Sequence, residues 1–174
     1  FTQDFSWSSS GKLTRWVYDG DGTANDVTED FSYDSSGRLT RWVHDGAGVD
    51  ADVTEDFSWT SAGLLSRRTH DAYGTGSDTT VDFSYTSSNR LSRFSLDMAG
   101  AAYDVTEDFS YDSSGRVTAY VKNVDVASSD VTVNISYDSN GAVSQVTSTG
   151  PAGTVSVKNC PAPAGASARL HQHV

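Results

Sequence analysis

The 174-residue chain has one cysteine, Cys160, so no disulfide can form within it and the fold cannot depend on one. Basic residues are few: 12 Lys and Arg stand against 23 Asp and Glu, a formal net charge of −11. That balance argues against nucleic acid or an anionic membrane as partner, because a phosphate binder needs the opposite sign. No apolar run approaches the roughly 20 residues of a membrane-spanning helix. No segment carries the 3.6-residue apolar period of an amphipathic helix. Catalytic groupings are equally sparse. His44 and His70 occupy the same slot as Tyr18, Leu96 and Lys122, so no histidine stands apart beside a nucleophile. Acidic pairs are so common that no single pair is distinctive. The expectation is a protein that is not an enzyme.

What the chain has instead is repetition. Phe5-Ser6-Trp7, Phe31-Ser32-Tyr33, Phe57-Ser58-Trp59, Phe83-Ser84-Tyr85, Phe109-Ser110-Tyr111 and Ile135-Ser136-Tyr137 open six copies of a 26-residue unit with no insertion or deletion. An enzyme needs one asymmetric pocket, whereas a strict tandem period makes the same surface repeatedly. Repetition of this kind points to a scaffold, a fibre or a multivalent binder.

In the second copy Val27, Glu29, Phe31 and Tyr33 alternate with Thr28, Asp30, Ser32 and Asp34, the two-residue period of a strand with one apolar face. Leu39 to His44 reads as a second strand, and Ser35-Ser36-Gly37 fits a type I turn closed by a left-handed residue. That slot holds Gly11, Gly37, Gly63, Asn89, Gly115 and Gly141. The one departure is the substitute such a backbone tolerates best. Each unit is therefore a β-hairpin, expected to set Tyr33 across from Leu39, Phe31 across from Arg41, and Glu29 across from Val43. Longer connections rich in Gly and Asp link the hairpins. The predicted fold is all-β: tandem antiparallel hairpins, six copies in a meander of about twelve strands, forming one curved or coiled sheet.

Residues 1–150 form the repeat array in this reading, and 151–160 a short partial seventh strand. Residues 161–174 have the Pro/Ala-rich composition of a linker or tail. Phe1-Thr2-Gln3-Asp4-Phe5 aligns with Val27-Thr28-Glu29-Asp30-Phe31, a start in register with a repeat that leads us to expect a removed leader and export.

Tyr33-Asp34-Ser35-Ser36-Gly37-Arg38-Leu39-Thr40 resembles the YD repeat of the Rhs family, whose core reads Tyr-Asp, two variable residues, then Gly-Arg-Leu-Thr. Tyr111 to Thr118 is nearly as close, and Tyr137-Asp138-Ser139-Asn140-Gly141 carries the first half. Ser8, Thr60 and Thr86 replace the Asp in copies one, three and four. The resemblance spans about residues 1–150. It implies extended antiparallel β-sheet and a bacterial surface or secreted setting. In that family the sheet winds into a shell, often around a toxin. This chain has longer connections and only six hairpins, too few to enclose a protein cargo.

Equivalent residues of successive copies lie two strands apart, roughly 10 Å on a flat sheet, and build columns. The Phe, Trp/Tyr and Leu columns read as the core face. Trp16, Trp42, Phe94 and Tyr120 form a second aromatic column, expected on the opposite face. There they would either stack sugar rings or pack in a second layer or subunit interface. Asp19, Asp21, Asp26, Asp45, Asp50 and Asp52 bracket the long loops, where they would serve as calcium ligands or as solvated turn carboxylates. Mid-strand Asp4, Asp30, Asp56, Asp82 and Asp108 would oppose uncontrolled edge pairing. Phe1, Val155, Val157 and Cys160 lie at the two ends of the array and are the candidate assembly residues. No cofactor is required, with calcium the one candidate.

These readings converge on a secreted structural protein of the bacterial surface or extracellular space. It would associate with copies of itself head to tail into a filament or surface layer. The alternatives are a glycan-binding adhesin module and a fragment of a larger Rhs-like shell.

Overall fold

A computed structural model describes residues 1–20, 26–47, 52–73, 78–100, 104–125 and 129–158. Thirteen strands appear: β1 (Thr2–Trp7), β2 (Leu13–Asp19), β3 (Val27–Tyr33), β4 (Leu39–Asp45), β5 (Val53–Trp59), β6 (Leu65–Ala72), β7 (Thr79–Tyr85), β8 (Leu91–Met98), β9 (Val105–Tyr111), β10 (Val117–Val124), β11 (Val131–Tyr137), β12 (Val143–Gly150) and β13 (Gly153–Lys158). Strand order in the sheet is chain order, and no helix longer than an isolated turn occurs among the described residues. The all-β hairpin array expected from the sequence is the observed fold. The chain divides into two compact units, Phe1–Val105 and Thr106–Val174. The first carries β1 to β8 as antiparallel neighbours, and the second carries the antiparallel run from β10 to β13.

All six hairpin tips are built alike. At the second tip Asp34 N–H donates to the Arg38 carbonyl (2.9 Å) and Gly37 N–H donates to the Asp34 carbonyl (2.9 Å). Gly37 has φ +79°, and Asn89, at φ +60°, is the sole non-glycine residue in the left-handed region among those described. The side chain that opens each tip accepts the N–H four residues on. Asp34 Oδ1 does so at 2.9 Å, Ser8 Oγ at 3.1 Å, Thr60 Oγ1 at 3.1 Å and Thr86 Oγ1 at 3.2 Å. Ser and Thr therefore replace Asp without loss of the turn, because each keeps an acceptor oxygen one bond from Cβ.

The register inside each hairpin differs from simple counting. Tyr33 pairs with Leu39 as expected, but Phe31 pairs with Trp42, Ser32 with Arg41, and Glu29 with His44. A β-bulge between Ser32 and Tyr33 adds one residue to the return strand, and the same shift follows Ser6, Ser58, Ser84 and Ser136. One extra residue reverses the faces of everything beyond it. Trp16, Trp42 and Phe94 consequently share a face with the Phe column, and the expectation that they point the other way is wrong. Phe83 and Phe94 meet edge to face at 5.7 Å, and Phe109 and Tyr120 meet at 5.3 Å. The arginines Arg15, Arg41 and Arg67 move to the polar face.

The sheet buries little. No apolar side chain among the described residues is buried, and Glu55, 8% exposed, is the one buried charged residue. A layer without a buried core must draw its cohesion from contacts that run across the strands.

Candidate interaction surfaces

Three sets of side-chain contacts tie each hairpin to its neighbours or close it internally. On the polar face the return strand of one hairpin meets the opening strand of the next through an ion pair. Arg15 faces Asp30 at 3.2 Å, Arg41 faces Asp56 at 3.4 Å, and Arg67 faces Asp82 at 2.6 Å. The Asp column is thus half of a cross-seam pair. Arg67 holds the Asp82 carboxyl below its ordinary range, chiefly by the hydrogen bond between them. At the seam between β10 and β11 the register sets Ala119 against Asn134, so both charges are lost together. These pairs are about half exposed, so water screens them and each contributes little by itself.

At the tips, the opening aromatic reaches back over the seam. Tyr33 Oη donates to the Leu13 carbonyl (2.9 Å), Trp59 Nε1 to Leu39 (2.8 Å), Tyr85 Oη to Leu65 (2.7 Å) and Tyr137 Oη to Val117 (2.8 Å). Where the residue after the turn is Lys12, Arg38 or Arg116, it reaches forward. Lys12 Nζ lies 5.1 Å from the Tyr33 ring centre and donates to the Gly37 carbonyl at 2.8 Å. Arg38 lies over Trp59 at 5.7 Å and donates to the Thr60 carbonyl, and Arg116 lies over Tyr137 at 4.2 Å. At these three tips a cation thus rests on the ring of the next hairpin.

On the apolar face, positions thirteen apart within a hairpin match chemically. Trp42 Nε1 donates to Glu29 at 2.9 Å, and His44 Nδ1 lies 3.2 Å from the same carboxylate. Glu55 takes a two-pronged bond from Arg68, with His70 Nδ1 3.2 Å away. The Arg68 bond holds the Glu55 carboxyl below its usual range against the opposing effect of burial. Tyr120 Oη donates to Glu107 at 2.9 Å, and burial with that carboxylate pushes its pKa up to about 12. Copy four replaces the set with Val81, Phe94 and Leu96. The first copy has Gln3 at the Glu slot, and there Trp16 Nε1 is buried without a hydrogen-bond partner.

The remaining candidates are placed as follows. Asp26 and Asp52 each accept the backbone N–H six residues back, from Gly20 at 3.1 Å and Gly46 at 3.2 Å, and close the long connections. Asp78, Asp104 and Asp130 repeat the bond. Asp19 and Asp45 end their strands opposite Thr2 and Thr28. Asp21, Asp50 and Cys160 lie outside the described residues. Among the described residues no three His, Cys, Asp or Glu side chains cluster closely enough to hold a metal ion. Phe1 (79% exposed) and Val155 (67%) lie on β1's end and β13, with Val157 also exposed. The sequence reading missed the partners of the Glu column and the tip cations, although aligning the six copies displays both.

No family model matches the chain, and no curated protein is significantly similar to it. Solved structures do match. One is a chain from the crystal structure of TcdB2-TccC3-Cdc42, with TM-score 0.65 and 13% identity over 90% of this chain. This chain spans 8% of that chain's length. The likeness shows a related β-repeat fold. A porin-like protein from Bacteroides uniformis ATCC 8492 aligns over 84% of this chain and 80% of its own at 15% identity, with TM-score 0.34, too low to carry an argument.

Proposed function

We propose that the chain is a structural β-repeat protein of the bacterial surface or extracellular space, lengthened through its sheet edges by copies of itself into a filament or surface layer. The observation that supports this is the state of the edge strands. Among the described residues β1 pairs with β2 alone and β13 with β12 alone. Both strands are exposed along their whole length, presenting Phe5 and Trp7 at one edge and Val155 and Val157 at the other. An exposed, apolar strand edge is a template for further pairing. Two different edges joined head to tail make a contact that repeats without closing. In this reading the protein is scaffold and performs no catalysis. Sedimentation velocity with negative-stain microscopy, across salt and calcium concentrations, tests it. Concentration-dependent polymers are expected, and a monomer under every condition overturns the proposal.

A second reading has specific support. The likeness to a short stretch of a much longer chain suits a segment of a larger YD-repeat, Rhs-like shell. It predicts that the protein isolated from its source has a mass well above 18.6 kDa and more of the same 26-residue unit.

A further inference from the structure

We propose that Asn134 is an attachment site for an N-linked glycan on the polar face of the sixth hairpin. Asn134-Ile135-Ser136 is the Asn-X-Ser triplet that N-glycan transfer reads. None of the other asparagines, Asn25, Asn89, Asn123, Asn140 and Asn159, has Ser or Thr two residues on. Asp4, Asp30, Asp56, Asp82 and Asp108 fill the same position in the other copies, each followed by Phe and Ser. One exchange, Asp to Asn, therefore turns the repeat's own sequence into an acceptor.

The surroundings of Asn134 leave room for a sugar. The two-residue period of β11 puts Asn134 and Ser136 on one face, both exposed, and Ile135 on the other. At the equivalent positions Asp30, Asp56 and Asp82 are partly covered by the arginine across the seam. Across that seam from Asn134 stands Ala119, which ends at Cβ, and within the hairpin stands Thr147. The Thr147 hydroxyl is engaged on its other side, with Gln145 at 3.2 Å and Ser156 at 3.3 Å. Among the described residues no hydrogen bond or ion pair occupies the Asn134 side chain. An exposed carboxylate needs no partner, so loss of the arginine does not by itself call for an amide.

The co-reactant is a sugar carried as its diphosphate ester. The Asn134 amide nitrogen bonds to the anomeric carbon as the bond from that carbon to the diphosphate oxygen breaks. The diphosphate leaves with the electron pair, and the amide nitrogen gives up one proton. β11 is hydrogen-bonded to β10 on one side and β12 on the other, which holds the main chain of the triplet away from any enzyme cleft. Transfer therefore precedes closure of the sheet around β11, and the folded sheet accommodates the product. This site lies beyond the structural role proposed above and does not depend on self-association.

Trypsin releases Asn123–Lys158 as a single peptide, with Asn134 in its one acceptor triplet. In the protein isolated from its source, that peptide is expected to carry a sugar on Asn134, located by electron-transfer fragmentation. Amidase release of the glycan should leave Asp at position 134. Unmodified Asn134, or sugar located on Ser or Thr alone, overturns the inference. A second measurement tests the room around the site. Cell-free translation with secretory microsomes yields the chain glycosylated at Asn134, and its urea midpoint should match that of bare Asn134→Gln. In Asn134→Gln/Asp82→Asn the acceptor moves to position 82, against Arg67. A glycan there should lower the midpoint relative to the bare double variant. Equal effects at the two positions would show that Asn134 has no special room and overturn the inference.

Discussion

The matched positions on the apolar face predict strong non-additivity in the third hairpin. Copy four fills the slots of Glu55, Arg68 and His70 with Val81, Phe94 and Leu96, in the same register. Glu55→Val alone removes the acceptor that Arg68 and His70 share. The Arg68 side chain is 42% exposed and can turn to water, so the cost should be about 1–2 kcal/mol. Arg68→Phe alone should cost more, about 2–3 kcal/mol, because the Glu55 side chain is 10% exposed and keeps only His70. If the sites were independent, the triple variant Glu55→Val/Arg68→Phe/His70→Leu would lose at least the sum. Replacing the whole polar set by an apolar one leaves nothing unsatisfied and recreates the Val81 arrangement. We therefore expect the triple variant to lie within about 1 kcal/mol of the parent, a coupling of about 2–5 kcal/mol. Urea unfolding followed by far-UV circular dichroism measures this, provided the slope of the transition stays constant across the set. A triple variant as unstable as its summed single changes would refute the matching.

Two further outcomes follow from the same contacts. Gln3→Glu places the acceptor of the other copies thirteen residues before Trp16, whose Nε1 is buried without a partner. It should stabilise by about 0.5–1.5 kcal/mol and shift the Trp16 indole N–H resonance downfield; an unchanged urea midpoint and resonance would contradict it. Acid should destabilise the fold. Glu55 is lowered chiefly by the Arg68 hydrogen bond, Asp82 by that of Arg67, and Asp34 and Asp112 by the backbone N–H of Arg38 and Arg116. A depressed folded-state pKa gives stability that is present above the unfolded value and lost as pH falls through the folded one. The urea midpoint should therefore hold at neutral pH and drop below the ordinary carboxylate range. Tyr120 has the opposite sign: its pKa of about 12 means that stability is lost as pH rises from the ordinary tyrosine value toward 12, with Tyr120 ionising late in an ultraviolet titration.

The hairpins and their tips were legible because each rests on a local rule. A left-handed residue must follow Ser35-Ser36, and only Gly and one Asn occupy that slot. The face of the second aromatic column was not legible for an equally local reason. Counting outward from the turn carries Phe31 to Arg41, and nothing in Leu39-Thr40-Arg41 marks the extra residue of a bulge. That single residue reassigned Trp42 to the Phe face and sent Arg41 to Asp56. The two errors had one cause. A cross-copy comparison would have exposed it, since Arg15, Arg41 and Arg67 keep their cross-seam Asp30, Asp56 and Asp82 while Ala119 stands against Asn134. Such joint changes identify neighbours without any count of residues.

The fold also explains why repetition matters here for stability. With no apolar residue buried among those described, the sheet cannot be held as a two-layer domain is, by area removed from water on both inner faces. What remains acts between neighbours: the ion pair on one face, the aromatic donor and cation at the tip, and the ring and carboxylate contacts on the other face. Each is individually small, of the order of 1 kcal/mol or less. Contacts of that kind accumulate only if every hairpin repeats the same register, so an insertion in a strand would misalign three ladders together. The invariant spacing of 26 residues over six copies is what such a ladder requires. A hairpin at an edge has one neighbour and forfeits half of its ladder, which is why cohesion in this sheet favours extension over termination.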